Sequence, residues 1–453
     1  MHYHIVGIGG AGMSAVAHLL LDQGHTVSGS DLLWNAQTAA LATRGAHIDR
    51  GHRPEQVAGA DAVISTAAVN GEHPELRAAV EAGIPCLSRT DLWREWSTQR
   101  RVLAVAGTHG KTTTTAMIAL ILEQAGFAPG FMIGAEIPDL AVAARWGAPE
   151  APLVIEADEY ARAFLALRPQ IAVITNIEWD HPDVYADMAS YNAAFAAFAA
   201  NAGEVMLSEE AAAVLAPATT TCTYGFGDAA DYRLRPAAAS WQAWRGTTRL
   251  ADLQLALPGR HNLSNALAAL AAVDRLGIGG EPAAATLAQF QGAARRFEFK
   301  GEVSGVIVID DYAHHPTEVR ATLAAARERY EHRRLLVYMQ PHTYSRMQAL
   351  RDAWGTAFGV ADQVFIGDVF AAREQGDPAA SARELVERIA AQHPAVRYVG
   401  SITSAADHLA QLLQPGDILL TLGAGDSYLV GETVLHRLQA FYSRSYGSAD
   451  FSS

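Results

Sequence analysis

Short apolar runs, each stopped by a glycine-rich or acidic turn and followed by a stretch of helical periodicity, recur along most of this chain. Runs of this length with no internal alternation read as strands buried on both faces, and their alternation with helices predicts parallel sheet. The first is His4-Ile5-Val6, which enters Gly7-Ile8-Gly9-Gly10-Ala11-Gly12-Met13-Ser14 and an apolar-periodic helix reaching Gly24. A second strand at 26–30 ends on Asp31, 62–65 reads as a strand and 74–83 as a helix. Residues 93–101 are polar and arginine-rich and are expected to form a linker, with a new strand opening at Val102.

The pattern then repeats. Residues 102–106 lead into a glycine turn and a helix that ends near Gly126. Strand 153–155 runs into Glu156-Ala157-Asp158-Glu159-Tyr160, and strand 171–175 into Asn176-Ile177-Glu178-Trp179-Asp180-His181-Pro182-Asp183. Leu257-Pro258-Gly259-Arg260-His261-Asn262-Leu263-Ser264-Asn265 precedes a long alanine-rich helix, on which Asn262 and Asn265 share a face. After Arg295-Arg296-Phe297 a third segment begins, with strands expected at 305–309, 335–338, 364–367 and 418–422. Acidic and imidazole groups fall at the C-terminal ends of strands throughout, where open α/β sheets bind ligands. The tail from about 443 is rich in serine and glycine and is expected to be flexible.

At 453 residues the chain is too long for one core, and about 150 residues per domain suggests three. A net charge of −14 argues against a nucleic-acid or anionic-membrane partner. No long apolar run is present, so neither a signal peptide nor a membrane span is expected. Cys86 and Cys222 are the only cysteines, which suits a reducing cytoplasm, and both are expected to be buried. Only two of the 34 basic residues are lysines, Lys111 and Lys300, so a lysine at 111 is hard to read as surface decoration.

Two turns carry chemistry. Gly107-Thr108-His109-Gly110-Lys111-Thr112-Thr113 follows a strand and opens a helix, the layout of a phosphate cradle. Turn amides and the helix N-terminus face an anion, an ammonium adds a point charge, and a threonine hydroxyl can hold Mg²⁺. The loop departs from the usual G-x-x-x-x-G-K-[ST] form, with Val105 where a glycine is expected and an extra glycine at 107. The opening turn, with Asp31 beyond it, describes a mononucleotide-binding βαβ unit that would suit a dehydrogenase equally well.

The ordered set Gly107-Thr108-His109-Gly110-Lys111-Thr112, Glu156-Ala157-Asp158-Glu159, Thr175 to His181, Gly259-Arg260-His261-Asn262 and Asp311-Tyr312-Ala313-His314-His315-Pro316 resembles the Mur ligases. These are ATP-dependent amide-bond ligases of peptidoglycan precursor synthesis in the cytoplasm. The resemblance implies three α/β domains: a Rossmann-like UDP-sugar-binding domain (1–99), a central ATP-binding P-loop domain with a mainly parallel sheet (100–297), and a Rossmann-like domain contacting amino acid and ATP (298–453). Gly9, Gly10, Ala11, Gly12, Met13, Ser14, Asp31 and Ser65 would bind the UDP-sugar. Gly107, Thr108, His109, Gly110, Lys111, Thr112 and Thr113 would hold the phosphates of ATP with Arg296; Asn262 and Asn265 would meet its adenine or metal-side phosphates; and Asp311, or Asp310 in its place, would hold its ribose. Thr112, Glu156 and His181 would ligate Mg²⁺, and His315 and Arg346 would orient the acceptor's carboxylate. The opening turn and Gln340-Pro341-His342 fit members that join L-alanine to UDP-N-acetylmuramate; the alternative is a member attaching a ready-made L-Ala-γ-D-Glu-meso-diaminopimelate. Tyr160 and Thr343 depart from the L-alanine pattern. A monomer or weak homodimer is expected.

Overall fold

The alternating pattern closes into three sheets in the computed structural model, which describes residues 1–66, 69, 71–215, 221–238 and 240–446. The first sheet runs His47–Arg50, Thr26–Asp31, His2–Val6, Ala62–Ser65, Cys86–Ser88, with every pair parallel. The reversal of order at His2–Val6 brings the Gly7–Gly12 stretch to the sheet's C-terminal edge, where helix Ala11–Asp22 starts.

The second sheet has ten strands. Its middle is parallel: Glu204–Ser208, Ile171–Ile174, Val102–Ala106 and Leu153–Glu156 lie side by side. Both edges turn antiparallel, through Tyr232–Pro236, Trp241–Arg245 and Thr248–Leu253 at one side and Gly130–Met132 with Ala144–Arg145 at the other. The third sheet is six-stranded, with an antiparallel edge strand Glu298–Val303 beside the parallel set Val306–Asp311, Ile418–Leu422, Leu335–Met339, Gln363–Gly367 and Val396–Gly400. It is covered on both faces, one by Trp354, Phe358 and Leu385 and the other by Leu409, Val430 and Val434.

The chain forms two compact units. One comprises residues 1–179, 184–256 and 264–291 and so holds the first two sheets; the other comprises 180–183, 257–263 and 292–453. The first two sheets share one apolar core, and the reason corrects a sequence expectation. Residues 93–101 are not a linker: Arg89–Gln99 is a helix capped by Ser88, with Trp93 and Trp96 fully buried in that core. Two further expectations change. Cys222 is buried but Cys86 is exposed. The last helix, Tyr428–Tyr446, passes the point where a tail was expected, and the rest of that tail, 447–453, lies outside the described residues.

Candidate active site

Strand Val102–Ala106 is buried at every position and flanked by Leu153–Glu156 and Ile171–Ile174, so the ends of all three converge on the following loop. Gly107 has φ +138°, and a Cβ there would stand 2.0 Å from the Thr175 hydroxyl. Gly110 has φ +82°, and its Cβ would stand 2.5 Å from the Asn265 Oδ1. Both positions therefore require glycine, which accounts for the departure from the usual loop and seats Asn265 against it. Thr108 and His109 strap the loop to the strand end beyond Ile174: the Thr108 hydroxyl donates to the Glu178 carbonyl (2.7 Å), and the His109 amide to the Asn176 side chain (2.8 Å).

Helix Lys111–Gln124 starts on this loop, with Thr112 and Thr113 buried in its first turn. Lys111 Nζ folds back onto the Gly107 carbonyl (2.6 Å) and the Thr108 carbonyl (3.0 Å), and lies 3.0 Å from Glu159. Burial alone would lower its pKa, but Glu159 and Glu156 outweigh that and raise it, so the ammonium stays charged. The Thr112 hydroxyl donates to Glu156 Oε1 (2.9 Å), whose other oxygen accepts the Gly134 amide (2.7 Å). A hydroxyl and a carboxylate at the mouth of a phosphate loop are the hard-oxygen donors that Mg²⁺ prefers, so this pair fits that ion. Glu159 was not singled out from the sequence; its only signal there is membership of the acidic run after Leu153–Glu156.

The glycine turn of the first sheet is built by its own side chains. Asp31 accepts the Gly9 amide (2.9 Å) and the Leu33 amide (3.1 Å), and Asn35 Nδ2 donates to the Gly9 carbonyl (3.0 Å). Gly10 caps helix Ala11–Asp22, Met13 and Ser14 are buried, and the Ser14 hydroxyl donates to the Ala11 carbonyl (3.0 Å). Asp31, Met13 and Ser14 thus shape the turn, leaving the amides of Ala11 and Gly12 at the helix N-terminus to face an anion. Ser65 ends its strand, partly exposed. Arg89 also reaches this turn and had no sequence signal apart from its neighbours.

The second unit carries the other expected residues. Arg346 and Asp180 are both buried and paired, Nε to Oδ1 at 2.8 Å and Nη2 to Oδ2 at 3.2 Å. Burial would raise the Asp180 pKa, but the Arg346 guanidinium and His181 reverse this and hold the carboxyl well below the usual range. Arg346 Nη1 also donates to His342 Nδ1 (2.9 Å), which requires a neutral imidazole there. Burial, reinforced by Arg346, pushes His342 down to about 4. His314 is pushed down to about 3, mainly by burial. His181 follows in left-handed backbone (φ +56°), its amide donating to Asp180 Oδ1 (2.7 Å).

Arg295 and Arg296 separate cleanly. Arg295 is structural, bound to Asp310 (2.9 Å) and to the Gly423 and Gly425 carbonyls (2.6 and 2.7 Å). Arg296 lies over the Tyr312 ring at 5.0 Å and 3.9 Å from Glu318. The two aspartates separate as well. Asp310 is fully buried between Arg295 and the Thr421 hydroxyl (2.6 Å). Asp311 accepts the Phe297 and Ala313 amides (2.7 and 2.8 Å), and burial pushes it up to about 6. His315 caps helix Pro316–Arg329, accepting the Thr317 amide at Nδ1 (3.2 Å), and Asn262 donates to the Pro258 carbonyl (2.8 Å). Left-handed backbone at His181, Arg295, Phe297 and Thr343 falls on or beside these residues, where strain is kept only if the surroundings impose it.

Known proteins match nearly the whole of this chain. Residues 2–101 match the Mur ligase family catalytic domain, 105–273 the Mur ligase middle domain, and 295–425 the Mur ligase glutamate ligase domain. A UDP-N-acetylmuramate–L-alanine ligase of Roseiflexus sp. (strain RS-1) is 53% identical over 467 residues, covering 97% of this chain and 99% of its own length. The crystal structure of UDP-N-acetylmuramate-alanine ligase from Thermotoga maritima superposes with a TM-score of 0.81 at 29% identity, over 97% of this chain and all of that one. A murein peptide ligase from Psychrobacter arcticus 273-4 follows at 0.74 and 26% identity, over 97% of this chain and 98% of its own. With the phosphate loop, the acidic strand ends and the third-sheet histidines all lying inside these matches, the chain belongs to the Mur ligase family.

Proposed function

We infer that this enzyme joins L-alanine to the lactyl carboxylate of UDP-N-acetylmuramate, driven by conversion of ATP to ADP and phosphate, in cytoplasmic peptidoglycan precursor synthesis. The observation that carries the substrate assignment is the near full-length likeness, at 53% identity, to a ligase of that name. A carboxylate does not react with an amine in water, so it must first be activated. A carboxylate oxygen attacks the γ-phosphorus, ADP leaves, and an acyl phosphate forms. The alanine nitrogen then attacks the carbonyl carbon, phosphate departs with the oxygen it gained, and the amine proton is released.

The first step brings two anions together, so its barrier is set by repulsion and positioning. Lys111 offsets that repulsion by exchanging Glu159 for phosphate oxygens, and the amides of Gly110, Lys111 and Thr112 at the start of helix Lys111–Gln124 orient the triphosphate. Thr112 and Glu156 would hold Mg²⁺, which when bound supplies further charge neutralisation at the phosphates. Asn265 limits the loop's freedom from the side of Gly110. In the second unit Arg346, held by Asp180 and His342, is assigned to the acceptor's α-carboxylate as the family likeness implies, and His181 would offer an imidazole to a metal ion. Arg296, Asp311, His315 and Asn262 are assigned to ATP and acceptor as the family likeness implies. A monomer or weak homodimer suffices for this chemistry.

The test is phosphate release from ATP with UDP-N-acetylmuramate and each acceptor alone. L-alanine should be fastest, with glycine and L-serine slower, since a pocket sized for one methyl separates neighbours by only ~1–3 kcal/mol. A faster rate with the tripeptide L-Ala-γ-D-Glu-meso-diaminopimelate would replace this reading with the peptide-attaching one.

A further inference from the structure

One buried hydroxyl stands between the phosphate loop and Glu159. It belongs to Tyr191, on helix Met188–Ala200, a residue with no exposed surface. Its Oη is 3.0 Å from the Thr108 hydroxyl and 3.5 Å from Glu159 Oε1. The ring is fixed by its neighbours, edge-on to Tyr185 at 4.8 Å and tilted against Phe195 at 5.1 Å. The phenol oxygen therefore stays where it is, and only its proton can turn.

Where that proton points is set by Thr108. The Thr108 hydroxyl donates to the Glu178 carbonyl (2.7 Å) and accepts the Glu178 amide (2.9 Å). Its one proton is thus committed, so Tyr191 is the donor in the contact between them. Glu159 Oε1 lies at the far limit of a hydrogen bond from the same phenol. Glu159 is held instead by Lys111, whose Nζ is 3.0 Å from Oε2 and 3.1 Å from Oε1.

A bound triphosphate disturbs that balance. Lys111 serves the phosphates only by loosening from Glu159, which leaves a carboxylate 1% exposed without its cation. The Glu159 backbone cannot follow the ammonium, because its carbonyl accepts the Tyr185 hydroxyl at 2.6 Å. The carboxylate must be compensated where it stands, and the Tyr191 hydroxyl is beside it.

We propose that Tyr191 is a positioning residue for the ATP-bound state: its hydroxyl turns from Thr108 to Glu159 as Lys111 moves to the phosphates. The proposal rests on the reading of the phosphate loop as the ATP site. No proton changes owner, since only the phenol's C–O torsion rotates. A hydrogen bond to a charged acceptor replaces one to a neutral hydroxyl, so the exchange favours ATP binding. It also holds Glu159 back from the incoming phosphates.

Calorimetric binding of ATP and of UDP to the full-length protein, with steady-state kinetics, tests this. Tyr191→Phe keeps the ring and removes only the hydroxyl. The variant loses a charge-assisted bond in the ATP complex but a neutral one in the free protein, so ATP should bind about 5- to 10-fold more weakly. KM for ATP should rise by a like factor, with a smaller fall in kcat. UDP binding, at another sheet, should stay within about twofold of wild type. In Glu159→Gln the acceptor is neutral throughout, so adding Tyr191→Phe should change ATP binding by less than about twofold. ATP binding unchanged in Tyr191→Phe overturns the proposal, as does equal weakening with Glu159 and with glutamine there, which marks a structural role. If Glu159→Gln does not fold, the kinetics of Tyr191→Phe decide, and a kcat loss larger than the rise in KM overturns the proposal. A wild-type protein that binds no ATP overturns the underlying reading of the loop instead.

Discussion

Lys111 is held among acids: Glu159 contacts its ammonium, and Glu156 and Asp158 add to the field around it. Its function is electrostatic, so Lys111→Ala should lower kcat ~10²–10³-fold, as for loss of one preorganised donor, and should also lower the unfolding temperature because it leaves the buried Glu159 carboxylate without its cation. Wild-type turnover would remove the phosphate-loop assignment. Glu156→Gln keeps the shape of the Thr112 contact but halves the hard-anion character of the pair. It should raise the Mg²⁺ concentration for half-maximal activity by at least tenfold, and an unchanged titration would exclude Glu156 as a ligand. Lys111, Thr112 and Glu156 were legible in the sequence because each lies in a local motif at, or just beyond, the end of a strand. Glu159 and Arg89 were not, since their meaning comes from partners at Lys111 and Gly12 that only the fold brings near. Asp31 was legible as a residue at the turn, but not in its part there, which is to hold the Gly9 and Leu33 amides.

At the scale of elements, two glycines with positive φ show how differently the same residue can be constrained. A Cβ on Gly7 (φ +71°) would meet nothing within 4 Å, so Gly7→Ala costs only the left-handed backbone term of ~1–2 kcal/mol. A Cβ on Gly107 would strike Thr175 at 2.0 Å and the Asn176 backbone at 3.1 Å, so overpacking adds to strain. Urea midpoints should therefore drop much further for Gly107→Ala than for Gly7→Ala, with ATP binding lost only in the former; equal drops would contradict this loop geometry. The central parallel strands could be read from sequence because burial on both faces leaves unbroken apolar runs. The antiparallel edge from Tyr232–Pro236 to Thr248–Leu253 could not: its strands alternate buried and exposed positions and carry arginines at exposed sites. The helix Arg89–Gln99 escaped for a related reason, because Trp93 and Trp96 at i, i+3 are its core face but polar residues of several kinds dominate its composition.

At the scale of the whole molecule, the second unit has a built-in sensitivity to acid. His314 and His342 are held down to about 3 and about 4, so both are neutral at pH 7, whereas an unfolded imidazole titrates near 6.5. Between those values the unfolded chain binds more protons, so stability is complete above pH 6.5 and is lost as pH falls towards 4 and 3. By pH 5 each imidazole contributes a loss of about 2 kcal/mol. Asp311 opposes them. Raised to about 6, it is penalised while ionised above that pH and regains about 1 kcal/mol on acidification to pH 5. The balance is a net loss, so calorimetric unfolding should shift to lower temperature between pH 7.5 and 5, and His314→Gln should flatten the shift by about two-thirds. An unfolding temperature that rises on acidification would contradict the buried neutral imidazoles.

The central claim is that the carboxylate is activated by taking a phosphoryl group from ATP before the amine attacks, and the fate of the carboxylate oxygens tests it most directly. UDP-N-acetylmuramate carrying ¹⁸O in both lactyl carboxylate oxygens is turned over with ATP and L-alanine, and the released inorganic phosphate is analysed by mass spectrometry. An acyl phosphate requires one carboxylate oxygen to leave with the phosphate, so each phosphate should carry a single ¹⁸O while the new amide keeps the other. Phosphate free of label, released in step with amide formation, would show that the carboxylate is activated some other way and that the phosphate loop does not serve this transfer.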